Sequence, residues 1–425
     1  MNYIPSELIC IIIDYTPDAI WLASDNYQYD YLIKRYKKHI CNAAAKHNHI
    51  DLLKYAQING CKINKWVCVD AAENGHLECM KYAYECHRHK WNVKLASIIT
   101  YNGHLNCLEY VHKNGCPLDE MVCAYAALGG NLDCLKYLHE NDCKWDKDTC
   151  LGAARNGHLD CLVYAHENGC EWSEWVCNDA AANGNLECLK YACENNCPFG
   201  VETDVLTIAA FNGQLDCLKY THDIGCKLDG SVCAYAVVNG HLDCLKYLHE
   251  NGCEWDEMTC LSAAAHGHLE CLRYAHENGC DWDERTCNRA AANGHLDCLR
   301  YAHENNCWLD ENVCSSAAVN GFLNCMKYAY ENGCGWDDWT CEYAALNGHL
   351  DCLVYAHEHE CQWDEDTCSN AAMNGHLDCL MYAHKHGCKW DKMTCVRAAE
   401  NDHIDCLVYA CENRCPWDGY IYQYI

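Results

Sequence analysis

Cysteine and histidine recur along this chain at fixed places. In one stretch Cys244, His249, Cys253 and Cys260 bring three thiols and an imidazole together, the ligand inventory of a structural zinc site. Of the 42 cysteines, all but Cys10, Cys86, Cys193 and Cys411 fall into the three columns that Cys244, Cys253 and Cys260 represent, so the question concerns the whole chain. The columns themselves argue against coordination. Leu52 stands in the first, and Ala96 and Leu206 stand in the third, where no ligand column would accept them. Stacked helices also lie roughly 8–10 Å apart, too far for one tetrahedral ion to gather equivalent residues from successive layers. The His249 column holds Gln57, Tyr84, Cys193 and Tyr330 elsewhere, so it selects for size. His241 and its equivalents open a helix and are expected to bond neighbouring backbone. His87 and His89 beside Cys86 form an off-pattern cluster that reads as a local distortion.

Other chemistry finds little support. There is no Gly-rich phosphate loop, no nucleophile elbow and no carboxylate pair outside the recurring pattern, in which Asp243, Glu250, Asp256 and Glu257 serve as solvated faces and helix caps. The expectation is a chain that is not an enzyme and carries no metal and no cofactor. The 61 acidic against 31 basic residues give a charge of -30, which repels nucleic acid and anionic membrane surfaces alike. The apolar run Leu8 to Ile13 is ended by Asp14, and the first basic residue is Lys34, so neither an export signal nor a membrane span is expected. So many thiols without an export signal point to a reducing compartment, the cytoplasm, where cysteine packs as a small hydrophobe.

What positions these residues is a repeat. Asn-Gly-His-Leu or a close variant recurs with its Gly at 75, 103, 157, 240, 267, 294, 348 and 375, and variants at Asn48, Gly130, Gly184, Gly213, Gly321 and Asp402 complete fourteen units of usual length 27. Two intervals stray, Gly75 to Gly103 and Gly184 to Gly213. In the unit from Gly240 to His266, the apolar residues His241, Leu242, Cys244, Leu245, Tyr247 and Leu248 share one face at helical spacing, and Gly252 suits the left-handed position after the last turn. Asp256 supplies an N-cap for a second helix, Glu257 to His266, with Trp255 and Cys260 set as a hydrophobic staple. Ala263 and Ala264 permit close helix approach, and Gly267 ends the helix. Each unit is therefore expected to be a helix pair.

These residues resemble the ankyrin repeat: Thr286, Ala290-Ala291-Ala292-Asn293-Gly294-His295-Leu296-Asp297 and Glu304-Asn305 read like that family's inner helix, tight turn and outer helix. The family's period is about 33 residues. About six are thus missing here, where ankyrins carry a β-hairpin finger, and Thr286-Cys287-Asn288-Arg289 replaces the usual Thr-Pro-Leu-His opening. Short Cys- and Trp-rich units of this kind resemble the ankyrin-like proteins that large DNA viruses of amoebae carry in many copies, which would place the chain in host cytoplasm. The resemblance implies an all-α, ankyrin-like solenoid of helix pairs over residues 37–425, without β-hairpin fingers, acting as a monomeric scaffold for protein recognition.

Residues 1–36 lie outside the repeat. Ile4-Pro5-Ser6-Glu7-Leu8 followed by Ile11, Ile12 and Tyr15 predicts an amphipathic helix with Pro in its first turn. This stretch resembles the start of an F-box, which implies docking of a Skp-type adaptor of cullin ubiquitin ligases on Pro5, Leu8 and Ile12. The alternative is a cap covering the apolar flank of the first repeat, which every solenoid requires.

A binding face is expected where the units differ. Trp175, Asn178, Asp179 and Ala182 in one unit correspond to Arg285, Asn288, Arg289 and Ala292 in another, to Met121, Ala124, Tyr125 and Leu128 in a third, and to Trp339, Glu342, Tyr343 and Leu346 in a fourth. Their spacing puts all four on one side of the inner helix. Positions free to vary within a fixed template are those that packing does not dictate. They are expected to line the concave surface and to contact a partner protein through Trp66, Tyr125, Trp175, Asn178, Asp179, Arg285, Arg289, Trp339 and Tyr343.

Overall fold

The computed structural model describes residues 39–87, 91–198 and 205–416. Pro5, Leu8 and Ile12, and with them the choice between cap and F-box, lie outside the described residues, as do His89 and the side chain of His87. The described residues form fourteen helix pairs, from Ile40–Lys46 with Ile50–Ile58 to Lys392–Glu400 with Ile404–Glu412, and no strand occurs among them. The first helix of each pair is called inner and the second outer.

One pair shows why the sequence folds this way. The inner helix Gly230–Val238 ends at Asn239, and Gly240 reverses the chain at φ 74°. His241 takes the N-cap position with no side-chain cap bond, so the outer helix is Leu242–Glu250, one residue shorter than its apolar pattern suggests. Cys244, Leu245 and Leu248 are buried along its inward face. Asn251 caps its C-terminus, Gly252 turns left-handed at φ 83°, and the extended residue Asp256 accepts a hydrogen bond from the Thr259 amide at 3.0 Å, opening the inner helix Glu257–Ala265. Asp146, Asp283, Asp364 and Asp391 accept from a first-turn amide in the same way.

The expected staple between Trp255 and Cys260 is replaced by other partners. The indole lies 4.4 Å from the His249 ring and edge-on to Tyr274, and it donates its N–H to the Asn278 carbonyl at 3.1 Å. Cys260 is fully buried and its thiol donates to the Cys280 carbonyl at 3.8 Å instead. An indole is too large for the narrow gap beside the cap and covers the outer helices, whereas a thiol fits among the alanines.

The chain divides into two compact units, Met1–Ala209 with Asp216–Ile224, and Ala210–Leu215 with Gly225–Ile425. Within each, an inner helix packs on the inner helix of the adjoining repeat far more extensively than outer packs on outer. Residue size explains the difference, because inner helices meet through Ala153 and Ala154 in the first unit and through Ala290 and Ala291 in the second, all fully buried. Gly152 allows one especially close approach, since a Cβ there would sit 3.1 Å from the Ala124 carbonyl oxygen.

Candidate functional site

The variable positions fall on the exposed side of the inner helices, though not equally. Trp66, Tyr125, Trp175, Trp339 and Tyr343 are exposed, Trp66 by 56% and Trp339 by 54%, far more than indoles that only fill a core. Trp175 and Trp339 occupy the N-cap positions of Val176–Ala182 and Thr340–Leu346, so these helices start one residue later than the alignment of repeats suggests. The Trp339 amide donates to Asp337 at 3.1 Å, which fixes the backbone that carries the ring. Arg285 and Arg289 are exposed, and Arg285 pairs with its own N-cap Asp283 at 2.6 Å.

Two residues depart from the expectation. Asn178 is buried, with 3% of its surface exposed, and cannot present a side chain to a partner. Its position, shared by Ala124, Asn288 and Glu342, faces the adjoining inner helix, where burial ranges from half to complete. Helical spacing alone places it on the same side as its neighbours and misses the width of that contact. Asp179 is half-buried and held by Arg155 of the preceding repeat at 2.7 Å. Its charge is therefore already answered within the chain.

In the first unit the inner helices enclose a groove of about 490 Å³. Ile98, Tyr101, Met121 and Tyr125 supply its apolar wall, and Glu73 and Lys94 supply its charges. Tyr101 meets Tyr125 edge-on at 6.4 Å. A shallower depression of about 320 Å³ continues from Met121 and Tyr125 to Leu151 and Arg155. In the second unit, Trp339 and Tyr343 lie 6.4 Å apart beside an acidic group. Glu342 is pushed up to about 7, first by burial and then by Asp364 and Asp366. Arg397 reaches Asp366 at 3.5 Å and bonds Ser369 and Asn370, while the Asn370 amide reaches Glu342 at 3.5 Å.

The histidines and tryptophans off this face form a second set of contacts that the spacing of residues did not disclose. His139, His166, His249, His276, His357 and His384 each meet the hydroxyl of a tyrosine 25 positions on, in the next outer helix, at 2.9–3.1 Å. Burial holds His384 below and Tyr409 above their ordinary values, so a neutral ring accepts from the hydroxyl. A tryptophan stacks on most of these rings, as Trp363 does on His357 at 3.8 Å. Where tyrosine replaces histidine, as at Tyr330, the stack with Trp336 persists. The one available signal was the joint occurrence of a histidine and a tyrosine 25 residues later. The turn histidines bond backbone as expected: His268 meets the Val238 carbonyl at 3.0 Å and His349 the Val319 carbonyl at 3.1 Å.

Among the described residues no group of three or more His, Cys, Asp or Glu is placed to hold a metal ion, and no helix is long and apolar enough to cross a membrane. The thiol columns lie in the core, with Cys86 and Cys411 exposed and Cys193 and Cys226 half-buried.

Comparison with known proteins bears on the fold. The family model described as ankyrin repeats (3 copies) matches residues 177–258, 206–286 and 232–313. Among solved structures the chain is similar to the crystal structure of the human ASB11 ankyrin repeat domain, at 21% identity and a TM-score of 0.34, over 38% of this chain and 85% of that one. A search of curated proteins finds no match.

Proposed function

With the ankyrin repeats of residues 177–313 as its frame, we propose that this chain is a protein-binding scaffold that takes its partner on the exposed side of the inner helices. Ankyrin repeats support the general role. The observation that carries the finer reading is that each compact unit leaves aromatic rings exposed on otherwise closely packed inner helices, Trp66, Tyr125 and Trp175 in the first and Trp339 and Tyr343 in the second. Large rings left in water at sites that packing does not require are the side chains that dominate protein interfaces. Arg285 and Arg289 add exposed donors, and the charge of -30 favours a basic partner.

A second reading, a substrate adaptor of a cullin-type ubiquitin ligase, draws on Ile4-Pro5-Ser6-Glu7-Leu8 and adds to the first without replacing it. One purification from expressing cells addresses both. The full chain should retain host proteins that the triple variant Trp175→Ala, Trp339→Ala, Tyr343→Ala loses, each substitution weakening binding by about 1 kcal/mol or more with the thermal midpoint unchanged. Retained binding together with lost stability would show these rings to be structural. Skp-type and cullin subunits in the eluate would establish the adaptor role, and their loss on replacing Leu8 and Ile12 by Asp would locate it.

A further inference from the structure

Two of the three thiol columns are in contact. The inner-helix thiol Cys123 donates to the link thiol Cys143 at 3.4 Å, and Cys233 donates to Cys253 at 2.9 Å, each pair 20 residues apart within one repeat. Elsewhere the inner thiol meets the carbonyl of the same link residue, as Cys260 donates to Cys280 at 3.8 Å and Cys341 to Cys361 at 4.0 Å. In both thiol–thiol pairs the link thiol donates its own proton to the carbonyl of the residue that caps the inner helix, Cys143 to Asp119 at 3.3 Å and Cys253 to Asp229 at 3.0 Å. The arrangement is directional. The inner thiol gives its proton toward the link sulfur, which raises the inner thiol and holds Cys143 and Cys253 below the usual thiol value.

A column kept only for its small apolar volume would not need its sulfurs within hydrogen-bonding distance of a second column. Two sulfurs at 2.9–3.4 Å need to close by about 1 Å to reach the disulfide length of about 2.05 Å. We propose that these pairs are modification sites, dithiols that a peroxide oxidises reversibly to disulfides and that then staple their inner helix to the link leaving the outer helix of the same repeat.

The chemistry balances. The link thiolate attacks one peroxide oxygen, the O–O bond breaks, and the departing hydroxide takes up the thiol proton as water, leaving a sulfenic acid. The inner sulfur then attacks the sulfenic sulfur. The S–O bond breaks, the inner proton leaves with the hydroxide as a second water, and the two sulfurs have together lost two electrons to the peroxide. The link thiol is the natural first nucleophile because it is the more acidic of the pair and the closer to solvent, Cys143 being 8% exposed where Cys123 is fully buried.

The experiment treats the reduced full chain with hydrogen peroxide, blocks remaining thiols with N-ethylmaleimide in denaturant, and identifies linked peptides by mass spectrometry without reduction. Cys86 and Cys411, both exposed, report that oxidant has reached the chain. The expected links join residues 20 apart, Cys123 to Cys143 and Cys233 to Cys253 among them, while the outer-helix thiols Cys271 and Cys298 remain alkylatable. The thermal midpoint should rise and return on adding dithiothreitol, and Cys253→Ser should leave Cys233 reduced and the other links intact. Oxidation of Cys86 and Cys411 with every column thiol still free would overturn the proposal. So would links at other spacings or between chains.

Discussion

Single side chains carry the clearest electrostatic consequence. Glu342 has an ordinary carboxyl value of 4.5 and is pushed up to about 7 by burial and by Asp364 and Asp366. A carboxyl raised on folding favours the folded state while it is protonated. That contribution is complete below the unfolded value and is lost as pH rises through about 7. Glu342→Gln keeps the neutral form at all pH. Relative to the native chain the variant should therefore gain stability between about pH 4 and pH 8, by about 1 kcal/mol once solvent screening of this half-exposed group is allowed for. Urea midpoints of both proteins at the two pH values measure it, and an equal difference at both would remove Glu342 as a titrating group. At this scale the sequence was legible wherever a residue type carried one meaning. Cysteines read as small buried hydrophobes are buried, and acidic residues read as caps accept their amides. Contacts between columns were not legible, because 20- and 25-residue separations match no helical or strand period and arise only when one layer settles on another.

Helices and their turns show how a single glycine pattern hides two causes. Gly240 and Gly252 both end helices with φ near 80°, at 74° and 83°. A Cβ on Gly240 would also lie 2.5 Å from the His268 ring of the next repeat, whereas a Cβ on Gly252 would meet nothing. Asn196, Asn306 and Glu360 accordingly hold the second position at positive φ in other repeats. Gly252→Ala should cost about 1 kcal/mol from backbone strain alone. Gly240→Ala should cost a further 1–3 kcal/mol or so, because the ring must move and its bond to the Val238 carbonyl is disturbed. Equal losses in denaturant titrations would show that the ring yields freely. The helix pairs were readable from periodicity, glycine and Asp caps together, since each rests on local backbone physics. The failed staple at Trp255 was not, because the indole's partner His249 and its neighbour Tyr274 lie in the layers it covers and not in the helix it precedes.

Summed over the molecule, the charge of -30 acts as self-repulsion within the folded chain. Salt at about 0.15 M shortens the screening length to about 8 Å, so the thermal midpoint should rise from low salt to physiological salt. A midpoint that falls or stays level would mean that the acidic residues are locally compensated. Binding of a basic partner should weaken over the same range, which separates the two effects. The candidate face was legible in part, because comparing the units with one another finds positions that vary. It cannot rank them. Trp175 and Trp339 stand exposed, Asn178 is buried against its neighbour, and Asp179 is tied to Arg155, distinctions that depend on how far adjoining inner helices approach.

The turn contacts bear on how such a chain changes through descent. His268 sits over Gly240 and His295 over Gly267 with the same closest distance, 2.5 Å from the position a Cβ would take. Removing one unit whole brings His295 to the place His268 held, and duplicating one supplies a further ring and a further glycine. Where such joints adjoin, unequal crossing-over between copies should rejoin the polypeptide with a ring over a glycine, as before. Among these joints each such event would change the order of exposed rings by whole units while a histidine still met a glycine.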